Sequence, residues 1–230
     1  MKYKHLFFDL DRTIWDFESN SNENFNYIFE KYELKKKGIP SVKIFQEKYQ
    51  TYNAMLWDFY KKGQIPKEVL KTKRFELTLL DFGIDNYLMA VDIGNDYVEN
   101  LTNKTYVFPN TFEVLNYLHK KYELHIITNG FDEVQFKKII SSNLNKYFKN
   151  IITSEEAGVK KPDPKIFLTA LEKANAKVEE SLMIGDDMEV DIIGARTMGI
   201  DQVLFNPNEI KHNETITYEI KNLKELMVIL

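Results

Sequence analysis

The chain has 230 residues, 43% of them hydrophobic and 29% charged, enough for one substantial core or a core with a smaller satellite. A formal net charge of −4 argues against broad affinity for nucleic acid polymers or anionic membranes. With no cysteine, disulfides, thiolate nucleophiles and zinc–thiolate sites are excluded. The first apolar run, Leu6-Phe7-Phe8, is too short for a secretory signal, and no later stretch is long enough to span a bilayer. A cytoplasmic protein is the expectation.

In chain order, HLFFDL (5–10) reads as a strand buried on both faces. A long insertion follows, residues 18–103, in which apolar residues recur at helical spacing. They are Phe25, Ile28, Phe29 and Tyr32, then Phe45, Tyr49, Tyr52, Leu56 and Phe59, and later Leu88, Val91, Val98 and Leu101. Breaks at Lys37-Gly38-Ile39-Pro40, at Gly63 to Pro66 and at Gly83 divide it into about four helices. Beyond it, LHIIT (124–128), NIITS (150–154), LMIG (182–185) and DQVLF (201–205) read as further buried strands separated by helical stretches. The pattern predicts an α/β fold, a Rossmann-like doubly wound parallel sheet. Its core is discontinuous, residues 1–17 and 104–230, and residues 18–103 form an inserted helical domain.

Four stretches carry chemistry. In FFDLDRTIWD, Asp9 and Asp11 are two residues apart, so on an extended chain they face one side about 6.6 Å apart. One carboxylate can attack a reacting centre while the other handles a proton. A turn or helix cap explains the same pair when it is taken alone. In IITNGF, Thr128, Asn129 and Gly130 leave a strand end with a hydroxyl, an amide and free backbone N–H groups, which suit phosphate oxygens. An ordinary strand-to-helix turn has the same composition. In GVKKPDPKIF, Asp163 and Pro164 read as the start of a helix, with Lys161 just ahead of it and Lys160 pointing outward. In LMIGDDMEVD, Asp186, Asp187 and Asp191 follow a strand end. Hard divalent cations take such oxygen ligands, and Mg²⁺ needs only one or two carboxylates. Asp186 reads as the stronger metal ligand, Asp191 as a supporting acid, and Asp187 as either a supporting acid or a helix cap. Sites in open α/β sheets form at the carboxyl ends of strands, where all four stretches would converge.

With DLDRT, TNG, KKP and GDDMEVD in this order, the sequence resembles the haloacid dehalogenase superfamily across the whole core. The insertion resembles that superfamily's helical C1 cap. The resemblance implies a phosphatase that uses Asp9 as nucleophile and Asp11 as general acid and base. It implies Mg²⁺ as cofactor, with Asp9, Asp11 and Asp186 as its residues and Asp191 nearby. It also implies phosphoryl binding by Thr128, Asn129, Gly130 and Lys161. A cap closing over the site would exclude water and select the leaving group.

DLDRTIWDFESNS, NGFDEVQ and the helical insertion further resemble the pyrimidine 5′-nucleotidase branch. That implies a nucleoside monophosphate as partner and a monomer or homodimer. Tyr52, Trp57, Tyr60 and Arg74 are candidates to contact a base or ribose, although aromatics at helical spacing also build cores. Other readings are a sugar-phosphate or phosphoglycolate phosphatase, a phosphomutase, a 2-haloacid dehalogenase, and a receiver-like signalling protein phosphorylated on aspartate. Arg12 departs from the commonest family pattern, which has glycine between the acid and the threonine. Its side chain is read as a substrate or cap contact or as a solvated arginine, and Thr13 as tying down the loop that leaves for the cap.

Overall fold

In a computed structural model describing residues 2–230, the chain forms two compact units. One comprises the residues through Glu18 together with Thr105–Leu230, and the other is Ser19–Lys104. Among the described residues, no helix is long and apolar enough to cross a membrane.

The elements of the chain's first half are β1 (His5–Phe8), α1 (Phe17–Lys31), α2 (Val42–Lys61), α3 (Lys67–Leu80) and α4 (Tyr87–Leu101). They are followed by α5 (Thr111–Leu118), β2 (Glu123–Thr128), α6 (Asp132–Ser141), β3 (Phe148–Thr153), the short turn α7 (Ser154–Ala157) and α8 (Pro164–Ala174). The chain then runs through β4 (Ser181–Gly185), α9 (Gly194–Thr197), β5 (Asp201–Phe205), β6 (Tyr218–Ile220) and the final turn α10 (Leu226–Ile229).

The strands form one parallel sheet in the order β3-β2-β1-β4-β5-β6, flanked by helices. β1 is central: Phe8 aligns with Ile126 of β2 on one side and with Ile184 of β4 on the other. Connections run outward in opposite directions from β1, so the crevice at the carboxyl ends of β1 and β4 is the topological switch point. β6 was not anticipated, because three residues at a sheet edge, Tyr-Glu-Ile, carry too little apolar signal to be read as a strand.

On one face of the sheet, Phe7, Ile127, Ile152 and Met183 bury against Ile166, Phe167 and Ala170 of α8. Helix α8 begins where the sequence reading put it. The Asp163 side chain accepts from the Lys165 N–H at 2.9 Å, and Pro164 occupies the first turn, where no N–H is needed.

The helical unit has its own aromatic core. Phe25, Phe45, Tyr49, Phe75 and Tyr97 are buried, with Phe25 and Tyr49 ring centroids 4.8 Å apart. Its fourth helix corrects the sequence reading. Leu88 is 74% exposed, and Val91 and Val98 are only half-buried; the buried face is Ala90, Ile93, Gly94, Tyr97 and Leu101. A Cβ at Gly94 would lie 2.8 Å from the Lys71 carbonyl oxygen, so α3 and α4 approach through a stripe of small residues. Of the four residues read for this helix only Leu101 is buried, because Ala90 and Gly94 carry little apolar signal although they lie on the packed face.

Candidate active site

Asp9 lies one residue past β1 and continues its line, its N–H donating to the Ile184 carbonyl at 2.8 Å. The chain then turns sharply: the Ile14 and Trp15 N–H groups both donate to the Leu10 carbonyl, and Arg12 adopts a left-handed backbone, φ +67°. The two aspartates therefore part company. Asp9 is buried, and its Oδ1 accepts from Lys161 Nζ at 2.6 Å. The Asp11 carboxylate accepts from Lys138 Nζ at 2.7 Å and from Gln135 Nε2 at 3.0 Å.

Lys161 is the hub. Its ammonium donates to Asp9 Oδ1 and Asp191 Oδ1, both at 2.6 Å, and to the Ile127 carbonyl at 2.8 Å. All three of its N–H bonds are thus directed. Burial alone would lower its proton affinity, but Asp191 and Asp9 more than reverse this and hold it charged. Its backbone is fixed from the neighbouring loop. The Asn129 side chain donates to the Lys161 carbonyl at 2.9 Å and accepts from the Lys161 N–H at 2.7 Å. Asn129, expected to face a phosphate, uses its amide as a two-point clamp on the lysine. Lys160, expected to point outward, is half-buried, and burial pushes its ammonium pKa down.

The Thr128 hydroxyl accepts from Gln135 Nε2 at 2.6 Å and from the Gly130 N–H at 3.2 Å. Gln135 donates to Asp11 as well, so one amide joins the loops after β1 and β2. Gly130 has no room for a side chain, since an added Cβ would lie 2.4 Å from Gln135. Gln135 and Lys138 were missed as site residues. The signal was present, because they fall on the buried face of α6 between Val134 and Ile139, where polar groups need partners.

Beyond β4, Asp186 Oδ1 accepts from the Thr13 hydroxyl at 3.0 Å. Thr13 thus reaches the acid on the opposite loop as well as belonging to the loop that leaves β1. The Asp187 carboxylate accepts from the Glu189 and Val190 N–H groups at 3.1 and 3.0 Å, the helix-cap alternative. Asp191 sits in a widened turn, Met188–Ile193, where the N–H groups of Asp191 and Ile192 both donate to the Asp187 carbonyl. It is 1% exposed, with Oδ1 on Lys161 and Oδ2 accepting from the Asp187 N–H at 3.2 Å. Gly185 permits this approach, because a Cβ there would lie 2.3 Å from Asp191 Oδ2.

Oxygen atoms of Asp9, Asp186 and Asp191 come within 4.8 Å of one another. Three carboxylates face one lysine ammonium, an excess of buried negative charge. Burial raises the proton affinity of all three acids, and nearby carboxylates add to it, Asp191 and Asp186 for Asp9, Asp191 for Asp186, and Asp187 for Asp191; the Asp186 carboxyl is pushed up to about 7. All-oxygen, anionic donors, two buried and Asp186 half-buried, fit a hard divalent cation of the Mg²⁺ type. Asp11 lies outside this group of three, and Asp191, read as a supporting acid, lies inside it.

This arrangement of acids around a lysine at the switch point has a family. The model of the haloacid dehalogenase-like hydrolases matches residues 3–199. The chain belongs to that family. It is similar to the HAD-hydrolase YfnB of Bacillus subtilis, 30% identical over 100% of this chain and 96% of that one. The crystal structure of YfnB bound to magnesium superposes with a TM-score of 0.89 at 29% identity, covering 100% and 99% of the two chains. The pyrimidine 5′-nucleotidase YjjG of Escherichia coli is 31% identical over 100% of this chain and 99% of its own. The pyrimidine 5′-nucleotidase PynA of Streptococcus pneumoniae is 27% identical over 99% and 94%. The chain is a hydrolase with a HAD-like fold.

In the helical unit, Tyr60 and Arg74 are buried. The Arg74 guanidinium lies 5.3–5.5 Å from the ring centroids of Tyr49, Phe75 and Tyr97 and donates to Asn53 at 2.9 Å. Tyr52 is half-buried and donates to Asp81 at 2.7 Å, and Trp57 packs edge-on to Tyr60. Arg12 donates to Glu18 at 2.9 Å and stacks over Phe17.

Proposed function

We propose that this hydrolase is a Mg²⁺-dependent phosphomonoesterase working through an aspartyl-phosphate on Asp9, with pyrimidine nucleoside 5′-monophosphates as substrates. The observation that carries the reading is the close group of Asp9, Asp186 and Asp191, with Lys161 bonded to the buried first and third. The names of YjjG and PynA, matched over nearly the full chain, support the substrate class. The helical unit is proposed as the cap that selects the leaving group. A cytoplasmic monomer or homodimer that binds neither nucleic acid polymers nor membranes completes the proposal.

Asp9 and Asp186 are the residues to hold Mg²⁺, with Asp191 behind them, since both Asp191 oxygens already have partners. When bound, the ion offsets the repulsion between an anionic nucleophile and an anionic substrate. Asp9 attacks phosphorus, and the bond from phosphorus to the nucleoside oxygen breaks, so hydrolysis is split into two easier displacements. Asp11 gives its proton to the departing alkoxide. It then takes one from the water that attacks the phosphorylated Asp9, releasing inorganic phosphate. Lys138 and Gln135 hold Asp11 in place for both transfers. Lys161 acts chiefly as fixed positive charge beside Asp9, because its three N–H bonds are already directed. The Thr128 hydroxyl, which accepts from Gln135 and Gly130 and keeps its own proton to donate, receives a phosphoryl oxygen.

The test is a phosphate-release screen with Mg²⁺ over pyrimidine and purine nucleoside monophosphates, sugar phosphates and phosphoglycolate. Pyrimidine monophosphates should lead, and Asp9→Asn should lower kcat at least about a thousandfold with an unchanged circular dichroism spectrum. A flat profile removes the nucleotidase assignment. Wild-type turnover by folded Asp9→Asn removes the mechanism.

A further inference from the structure

At the other end of β1 lies a second cluster that the hydrolytic site does not use. His5 opens β1, and Glu123 and His125 stand two residues apart on β2. In the parallel register His5 pairs with Glu123 and Phe7 with His125, so all four side chains project from one face of the sheet. His125 is fully buried and His5 is 8% exposed. His5 Nδ1 lies 3.3 Å from His125 Nε2 and 3.5 Å from Glu123 Oε2.

Those spacings are informative. Two ligands bound to one tetrahedral ion at 2.0–2.1 Å stand about 3.3–3.4 Å apart, from the tetrahedral angle. We infer that His5, Glu123 and His125 form a binding site for a divalent transition-metal ion of the zinc type, with a water completing the set.

Three further features suit the assignment, and one must rearrange. Imidazole nitrogen with a carboxylate oxygen selects Zn²⁺ and its neighbours over Mg²⁺, so the site is chemically distinct from the acid cluster beyond Asp9. Both rings are buried, which disfavours the charged imidazolium and suits coordination through a neutral nitrogen. The other ring nitrogen of His125, Nδ1, lies 3.0 Å from Asn150 Nδ2, a donor that favours the proton on Nε2, so coordination through Nε2 requires the Asn150 amide to turn and present its oxygen to an Nδ1–H. An open groove of about 390 Å³ beside His5 and Glu123 gives an entry path, and Lys4, Lys120 and Lys121 on its rim oppose a cation's approach. Lys149 is the competitor, its ammonium 2.9 Å from both Glu123 oxygens, and Lys4 and Glu180 also act electrostatically on His5.

The experiment is calorimetric titration of Zn²⁺ into the metal-stripped full chain with Mg²⁺ in large excess, beside a record of the histidine ring resonances. One equivalent of Zn²⁺ should bind, shifting the His5 and His125 signals and raising Tm. His5→Gln and Glu123→Gln should each weaken that equivalent at least about tenfold, and Asp186→Asn should leave it in place. Lys149→Gln should tighten it several-fold by freeing Glu123. Both weakening variants lie at the sheet's open end, so the outcome does not depend on a substitution at the fully buried His125. Absence of the equivalent under excess Mg²⁺, or its survival in both variants, would overturn the site and leave the rings a stacked neutral pair.

Discussion

Arg12 holds a left-handed backbone at a position where the family's commonest pattern has glycine. For a residue with a Cβ this costs roughly 1–2 kcal/mol. Its guanidinium finds two compensations, an exposed ion pair with Glu18 and the face of Phe17 at 4.5 Å, each worth about 0.5–1 kcal/mol. Arg12→Gly should therefore move stability by less than about 1 kcal/mol and leave kcat/KM within about twofold, as read by thermal melts and steady-state kinetics. A tenfold rise in KM would instead identify the guanidinium as a substrate contact. Asp11 shows how far a residue's surroundings refine its reading. The DxDxT spacing identified both aspartates, but only the fold pairs one with Lys161 and the other with Lys138 and Gln135.

At the scale of elements, the helix pair α3–α4 is set by backbone proximity. Gly94→Ala would gain about 1 kcal/mol of helix propensity, yet its Cβ would meet the Lys71 carbonyl oxygen at 2.8 Å. Main chain cannot swing aside as a flexible side chain can, so the substitution should lower stability by about 1–3 kcal/mol, measured by urea unfolding. That contact also explains what the sequence concealed. Buried parallel strands such as LHIIT and LMIG announce themselves through continuous apolar runs, and five of the six were legible in that way. The sixth, Tyr218–Ile220, is short and lies at the edge; α4 was misread at Leu88, though not at Leu101, because two positions of its packed face, Ala90 and Gly94, carry little apolar signal. The site was legible where chemistry clusters in sequence, as in Asp186–Asp191. It was hidden where a helix carries it across space, as with Gln135 and Lys138, whose partner Asp11 is more than a hundred residues away.

For the whole molecule, the sheet gathers like charge at one end. Asp9 and Asp191, both buried, and the half-buried Asp186 gather near a single ammonium where water screens them poorly. Without a divalent cation this is a standing electrostatic cost, and Mg²⁺ should turn it into a gain. In EDTA, Asp186→Asn should melt above the wild type, because one of the repelling charges is gone. In millimolar Mg²⁺ the order should reverse, because the variant has lost a ligand; differential scanning fluorimetry reads both, and an unchanged order would exclude Asp186 from cation binding. The same end of the sheet contains the reciprocal pair between the Asn129 amide and the Lys161 main chain. Its consequence is mechanical. The loops after β2 and β3 are buttoned together at two points, so a displacement of one draws the other with it and the main chain at Lys161 follows the turn that carries Thr128.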